Sequence, residues 1–291
     1  MSVQPKQMPA APPVSREVFD DSQSAPTSVA EVLQLRTLPH DRFLADPVSV
    51  TGRRTLYGGQ VAAQALRAAS LTVPDGRLPH SLHGYFLQAG DASSAISFTV
   101  ERDRDGGRYS GRRVTATQGQ AAIFSMSCSF SRPKDGADYQ AVTLPAVALP
   151  AELPTHQLNA ARTFDLEARI PDDPDPWHRW PARLWLRIRE PLDEDPVVKA
   201  CGVVFLSDLC TGLSRAPQVE DAGLLPSIDH SVWLHRCGDP NDWLLMDLHP
   251  VSTAGGRGVY SGQMFDQQGT MLASLAQESL FDVTRGRGKS T

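Results

Sequence analysis

Two stretches of this chain carry the same signals in the same order, so that His83 answers His230 and Gly119 answers Gly269, a period of about 150 residues. A repeat of that length marks duplication of a whole domain and not a solenoid. In the first copy "LYGGQVAAQALRAAS" reads as a helix with Gln60, Gln64 and Arg67 on one face. "LHGYFLQAGD" then reads as a strand, and "AISFTVERD" sets Ile96, Phe98 and Val100 against Ser97, Thr99 and Glu101. "GGRYSGRRVTATQGQAAIFSMSCSF" supplies two more strands around a Gln118-Gly119 turn. In the second copy "DPVVKACGVVFLSDLCTGL" opens with Asp195 as N-cap and Pro196 at the first helical position, and is expected to stop at Gly212. "IDHSVWLHRCGD", "DWLLMDLHPVS" and "GGRGVYSGQMFDQQGTMLASLAQESLF" repeat the strands, with "YSG" and a "QG" turn in both halves.

Each unit is therefore one helix followed by antiparallel strands. The second helix is apolar all round, which a helix on a protein surface cannot be, so a curled sheet must enclose it. The expected fold class is α+β: a double hotdog of two fused helix-plus-sheet repeats. The boundaries read as a mobile Pro/Ser-rich tail at 1–27, an N-terminal repeat at 28–135, a Pro-rich linker at 136–180 and a C-terminal repeat at 181–291.

A formal net charge of −5 argues against nucleic acid or an anionic membrane as partner. No apolar stretch approaches the roughly 20 residues of a membrane span, and the N-terminus has no charged-then-apolar leader pattern. Cys128, Cys201, Cys210 and Cys237 are scattered without C-x-x-C or C/H spacing, which reads as free thiols in a reducing cytoplasm with no metal site.

Three polar residues stand out against this background. Asp208 sits in "VVFLSDLCTGL", near the end of the enclosed helix. Gln277 projects from the strand face that also carries Met271, Ala273 and Leu275. Ser227 enters the strand after the helix in "PSIDHS". Each has a structural reading: a cap, a satisfied core amide, a strand-edge hydroxyl. Together they offer the acceptor, amide and hydroxyl that hydrolysis without a covalent intermediate needs to aim one water. The first copy has small or amide residues near "GGQ" where the second has Asp208, and Ser127 where it has Gln277, so one site per chain is expected. Gly58 and Gly59 open the first helix, where backbone N–H groups could approach a substrate carbonyl; close helix–sheet packing is the alternative. His83 and His230 read as structural histidines at strand starts, with His83 kept as a substrate-side residue and reserve base. "GLSRA" lacks the last glycine of a nucleophile elbow, and "GGRGVYSG" lies within strands, which argues against a dinucleotide site.

"YGGQVAAQAL", "LHGYFLQAGD", "LSDL", "IDHSVWLHR" and "GGRGVYSGQMFDQQGTMLASLAQE" resemble, in order, the acyl-CoA thioesterase II family, from about Ala30 to Phe281. The resemblance implies a double-hotdog hydrolase of fatty acyl-CoA, acting in lipid and fatty acid metabolism without a cofactor. It assigns the hydrolytic water to the Asp of "SD" (Asp208), the hydroxyl two residues before the Asp of "DHS" (Ser227) and the Gln of "QE" (Gln277). The expected partner is an acyl-CoA substrate, and the expected assembly is a homo-oligomer, a dimer or a tetramer. Two other readings stay open: a non-catalytic acyl-CoA binding or sensing protein, and an enoyl-thioester hydratase on the same fold, whose D-x-N-P-x-H-like loop is not found.

Overall fold

The computed structural model of the protein describes residues 26–48, 55–156, 163–171, 182–209 and 223–282. Its elements run α1 (Val29–Val32), β1 (Arg36–Leu38), β2 (Arg42–Ala45), α2 (Gly58–Ser70), β3 (Leu78–Phe86), β4 (Ile96–Asp105), β5 (Tyr109–Gln118) and β6 (Ala121–Ser131). They continue with β7 (Leu166–Arg169), β8 (Arg183–Ile188), α3 (Pro196–Ser207), β9 (Gly223–Ser227), β10 (Asp229–Leu234), β11 (Leu244–Ala254), β12 (Arg257–Asp266) and β13 (Met271–Asp282). The strands join in one sheet of order β1-β2-β4-β5-β6-β3-β10-β13-β12-β11-β8-β7, with β9 paired to β13. The seam between the two copies is the antiparallel pair β3–β10, in which Gly84 faces His230. No helix among the described residues is long and apolar enough to cross a membrane.

The two helices lie side by side on one face of this sheet, running in opposite directions. The start of α2 meets the end of α3, where Tyr57 Oη donates to Phe205 O at 2.7 Å. The last turn of α2 meets the start of α3, where Arg67 lies 3.8 Å from the N-cap residue Asp195. Ten of the thirteen residues of α2 and eight of the twelve of α3 are buried, so both helices are enclosed and stabilised chiefly by apolar burial. The turns at Gly119 and Gly269 take φ of +59° and +85°, which a side chain would strain.

Three local expectations change. The second helix ends at Ser207, with Asp208 as its C-cap; Gly212, the expected stop, lies outside the described residues. Met271 packs on the outer face of the sheet with Trp185, Leu245 and Phe265, while Ala273 and Leu275 stay in the main core. The register shift between Met264 and Phe265 separates them. The stretch read as a linker holds a strand, β7. Its Leu144, Val147 and Leu153 cover that same outer cluster, and Trp185 Nε1 donates to Ala148 O at 3.0 Å. Of the N-terminal tail, residues 1–25 lie outside the described residues, and Thr27 bridges to Phe164.

A buried arginine ties the far end of α2 to the sheet. Arg112, with no exposed side-chain surface, donates to Thr72 Oγ1 and O, to the carbonyls of Arg104 and Gly111, and to both Asp105 oxygens. Arg112→Met removes all of these donors and leaves the Asp105 carboxylate, 35% exposed, and several carbonyls without them. We expect it to lower stability by about 3 kcal/mol, the scale for breaking a buried charge network. Denaturant unfolding of the variant measures this, and a loss under 1 kcal/mol would show the network to be dispensable.

Candidate active site

Residues from four elements meet where α2 begins and α3 ends. The N-cap position of α2, Tyr57, makes no side-chain cap hydrogen bond. Asp208, arriving from the end of α3, takes that role across the two copies: Gly59 N–H donates to its Oδ2 at 2.8 Å. Tyr57 in return serves the Phe205 carbonyl at the end of α3. The helix ends thus cap each other, and the carboxylate gains the favourable field of a helix N-terminus.

The approach requires both glycines. A Cβ on Gly58 would stand 2.6 Å from Asp208 Oδ2, and one on Gly59 would stand 2.5 Å from Phe205 O. Neither fits, which is the physical reason for "GG" at this helix start. Gly59 N–H, expected to approach a substrate carbonyl, donates to Asp208 in this structure.

Gln277 is 2% exposed on β13, and its amide nitrogen donates to Asp208 Oδ1 and to Ser227 Oγ, each at 2.6 Å. Both amide hydrogens are then used, and the remaining polar atom, Oε1, can only accept. Ser227, the last residue of β9, sits opposite Ser279 in the pairing with β13, and its hydroxyl lies 3.5 Å from Ser279 Oγ. The structure therefore brings Asp208, Gln277 and Ser227 into one hydrogen-bonded chain.

His230 adjoins this chain and was not among the expected site residues. It is fully buried, and its Nε2 lies 2.7 Å from Ser207 Oγ, which also reaches Val204 O at 2.8 Å. With the hydroxyl donated to that carbonyl, Nε2 carries the proton of a neutral imidazole. Burial lowers the pKa of His230, while Asp208, the Gln277 amide and Asp229 pull it upward. A parity signal existed for it: His230 and Val232 are buried on alternate positions of β10. His83 falls on the opposite parity. It is exposed, pairs in register with Ser231, accepts or donates to Ser231 Oγ at 3.2 Å, and rests on Trp233. The structure places it on the outer face of the sheet, away from the other candidates.

The neutral, buried His230 carries a stability prediction. Its folded-state pKa lies below the unfolded value near 6.5, so the unfolded chain binds the proton first as pH falls. Its contribution is complete above about pH 6.5 and is lost on acidification, at up to about 1.4 kcal/mol per pH unit. Unfolding of wild type and His230→Gln at pH 7.5 and 5.5 is expected to show a steeper acid loss in the wild type. Equal slopes would contradict it.

Among the described residues no three His, Cys, Asp or Glu side chains gather as metal ligands. The sequence profile of the acyl-CoA thioesterase N-terminal domain matches residues 45–131, and that of the C-terminal domain matches residues 141–281. The chain belongs to the acyl-CoA thioesterase family. As a member it is a thioester hydrolase. Acyl-CoA thioesterase 2 of Haemophilus influenzae is 32% identical over 253 residues, covering 79% of this chain and 88% of that protein. Human acyl-coenzyme A thioesterase 8 is 30% identical over 285 residues, covering 88% and 89%. The crystal structure of an acyl-CoA thioesterase II from Mycobacterium marinum aligns with a TM-score of 0.72 at 34% identity, over 87% of this chain and 96% of that one. A hot dog protein of Alicyclobacillus acidocaldarius aligns with a TM-score of 0.72 at 16% identity, a likeness of fold alone. The fold is the double hotdog of this family.

Proposed function

We propose that the chain hydrolyses acyl-CoA thioesters to free fatty acid and CoA by means of one water held between Asp208, Gln277 and Ser227. The observation that carries this reading is the Gln277 amide, which spans Asp208 and Ser227 at 2.6 Å each. In the proposed step the water donates one hydrogen to Asp208 and is oriented by Gln277 Oε1 and the Ser227 hydroxyl. Its lone pair attacks the thioester carbonyl as Asp208 takes the proton. The carbonyl oxygen gains negative charge beside the α2 N-terminus, whose field favours it. Collapse breaks the C–S bond, and the proton held by Asp208 leaves with the CoA thiolate as thiol. Gly59 then acts as the anchor that fixes the base.

A binding or sensing protein has no use for a carboxylate locked to an amide and a hydroxyl, and a hydratase needs an Asp–His pair on its substrate, whereas His230 beside Asp208 is fully buried against Ser207. The discriminating experiment is thiol release across a panel of acyl-CoA chain lengths, repeated with acyl-carrier protein and with an enoyl-CoA. Release is expected from saturated acyl-CoA; tight binding without release would support sensing, and hydration of the enoyl-CoA would support the hydratase. We also propose cytoplasmic action, since Cys128 and Cys201 are free and buried, with the Cys201 thiol pushed up to about 12 by desolvation, which suits a reducing compartment. The outer face at the seam, with Tyr85 at 59% and Trp233 at 39% exposure, supports a homo-oligomer, which sedimentation velocity tests.

A further inference from the structure

On α2, next to the glycines that hold Asp208, two buried amides have unfilled hydrogen-bonding capacity. Gln60 and Gln64 are each 1% exposed and, four residues apart, lie on one face of the helix. Gln64 Nε2 donates to Val32 O at 2.8 Å, which fixes the orientation of its amide, yet its Oε1 has no hydrogen-bond partner. Gln60 Nε2 likewise has none. Gln64 lines a pocket of about 400 Å³ whose other walls include Glu31 and Val32 of α1 and the segment Asp46, Pro47 and Val48 after β2. A buried donor and a buried acceptor left open cost stability, and native proteins keep such pairs where something else completes them.

What completes a donor and an acceptor one helical turn apart is a run of secondary amides, each offering a C=O and an N–H. We propose that the pantetheine arm of the thioester lies along this face of α2, its inner amide against Gln60 and its outer amide against Gln64. This rests on the hydrolase reading above. The spacing agrees: one helical turn is 5.4 Å, and two amides joined through a pair of methylene groups repeat at about 5 Å. The order agrees as well. Gln60 adjoins Gly59 and so lies nearer Asp208, where the reacting carbonyl sits, while Gln64 lies one turn farther along, at the pocket. The acyl chain offers neither donor nor acceptor and leaves both amides unfilled.

The test uses one acyl group on three thiols: pantetheine with two amides, N-acetylcysteamine with one, and 2-mercaptoethanol with none. Gln64→Met is expected to lower kcat/KM about tenfold for the pantetheine thioester only, the scale of one lost hydrogen bond in a desolvated site. Gln60→Met is expected to lower it for the pantetheine and N-acetylcysteamine thioesters and to spare the third. Equal losses on all three thioesters, or none on the first, overturn the proposal. Should either variant fail to fold, the wild type decides: S-methyl pantetheine is expected to inhibit more tightly than S-methyl-N-acetylcysteamine, and equal inhibition overturns it. A wild type that releases no thiol even from acyl-CoA would remove the hydrolase reading itself, a separate result.

Discussion

Asp208→Asn is expected to lower turnover of an acyl-CoA about 10³-fold or more while the chain stays folded, the scale of losing a positioned base together with the charge it carries. Asn keeps the shape and one acceptor oxygen, so Gly59 N–H retains a partner, but nothing remains to take the proton of the water. The Asn amide nitrogen meets the Gln277 amide nitrogen, donor against donor, and the helix start loses its negative charge. These effects together are expected to cost about 1 kcal/mol of stability. A neutral group in an enclosed site would gain stability only if the carboxylate were poorly compensated, and here two N–H donors meet its two oxygens. A carboxylate that only caps α2 would show the reverse pattern, a destabilised protein with near-normal turnover. Thiol release and thermal melting on one preparation separate the two.

Gln277→Ala is expected to lower turnover about 10²-fold, because it removes the group that joins the base to Ser227 and offers Oε1 to the water. It leaves Gly59 N–H on Oδ2 and removes the donor that holds Oδ1, so the loss is one of aim. Truncation of a buried side chain also opens a cavity, and a stability cost of about 2 kcal/mol is expected beside the kinetic one. If Gln277 is merely a core amide, only the second effect appears. The split is read by comparing kcat of acyl-CoA hydrolysis with the melting temperature.

Much of this geometry is written in local sequence signals. The strand faces follow from alternation, the turns from Gln-Gly pairs, and the enclosure of α3 from a helix with no polar side. Asp208 and Gln277 are visible as polar groups in apolar surroundings, since each violates the period of its own element. What local patterns cannot carry is pairing at long range. Nothing near Gly59 tells that its N–H meets a carboxylate from the other copy, nor why two glycines are needed there. That depends on how closely two helices approach. The strand β7 hides in a Pro-rich stretch because only four residues of it, Leu166–Arg169, pair with β8. The separation of His83 from His230 was within reach: Leu82 and Gly84 flank His83 and face inward, whereas His230 shares the parity of Val232.

The most direct measurement of whether Asp208 and Gln277 act on the same water is a double-mutant cycle on acyl-CoA turnover. Groups that act as one unit lose their effect together, so the Asp208→Asn/Gln277→Ala chain is expected to be no slower than Asp208→Asn alone. Losses that multiply, with the double variant slower than Asp208→Asn by the full factor of Gln277→Ala, would mean that the two side chains act independently and that no shared water lies between them.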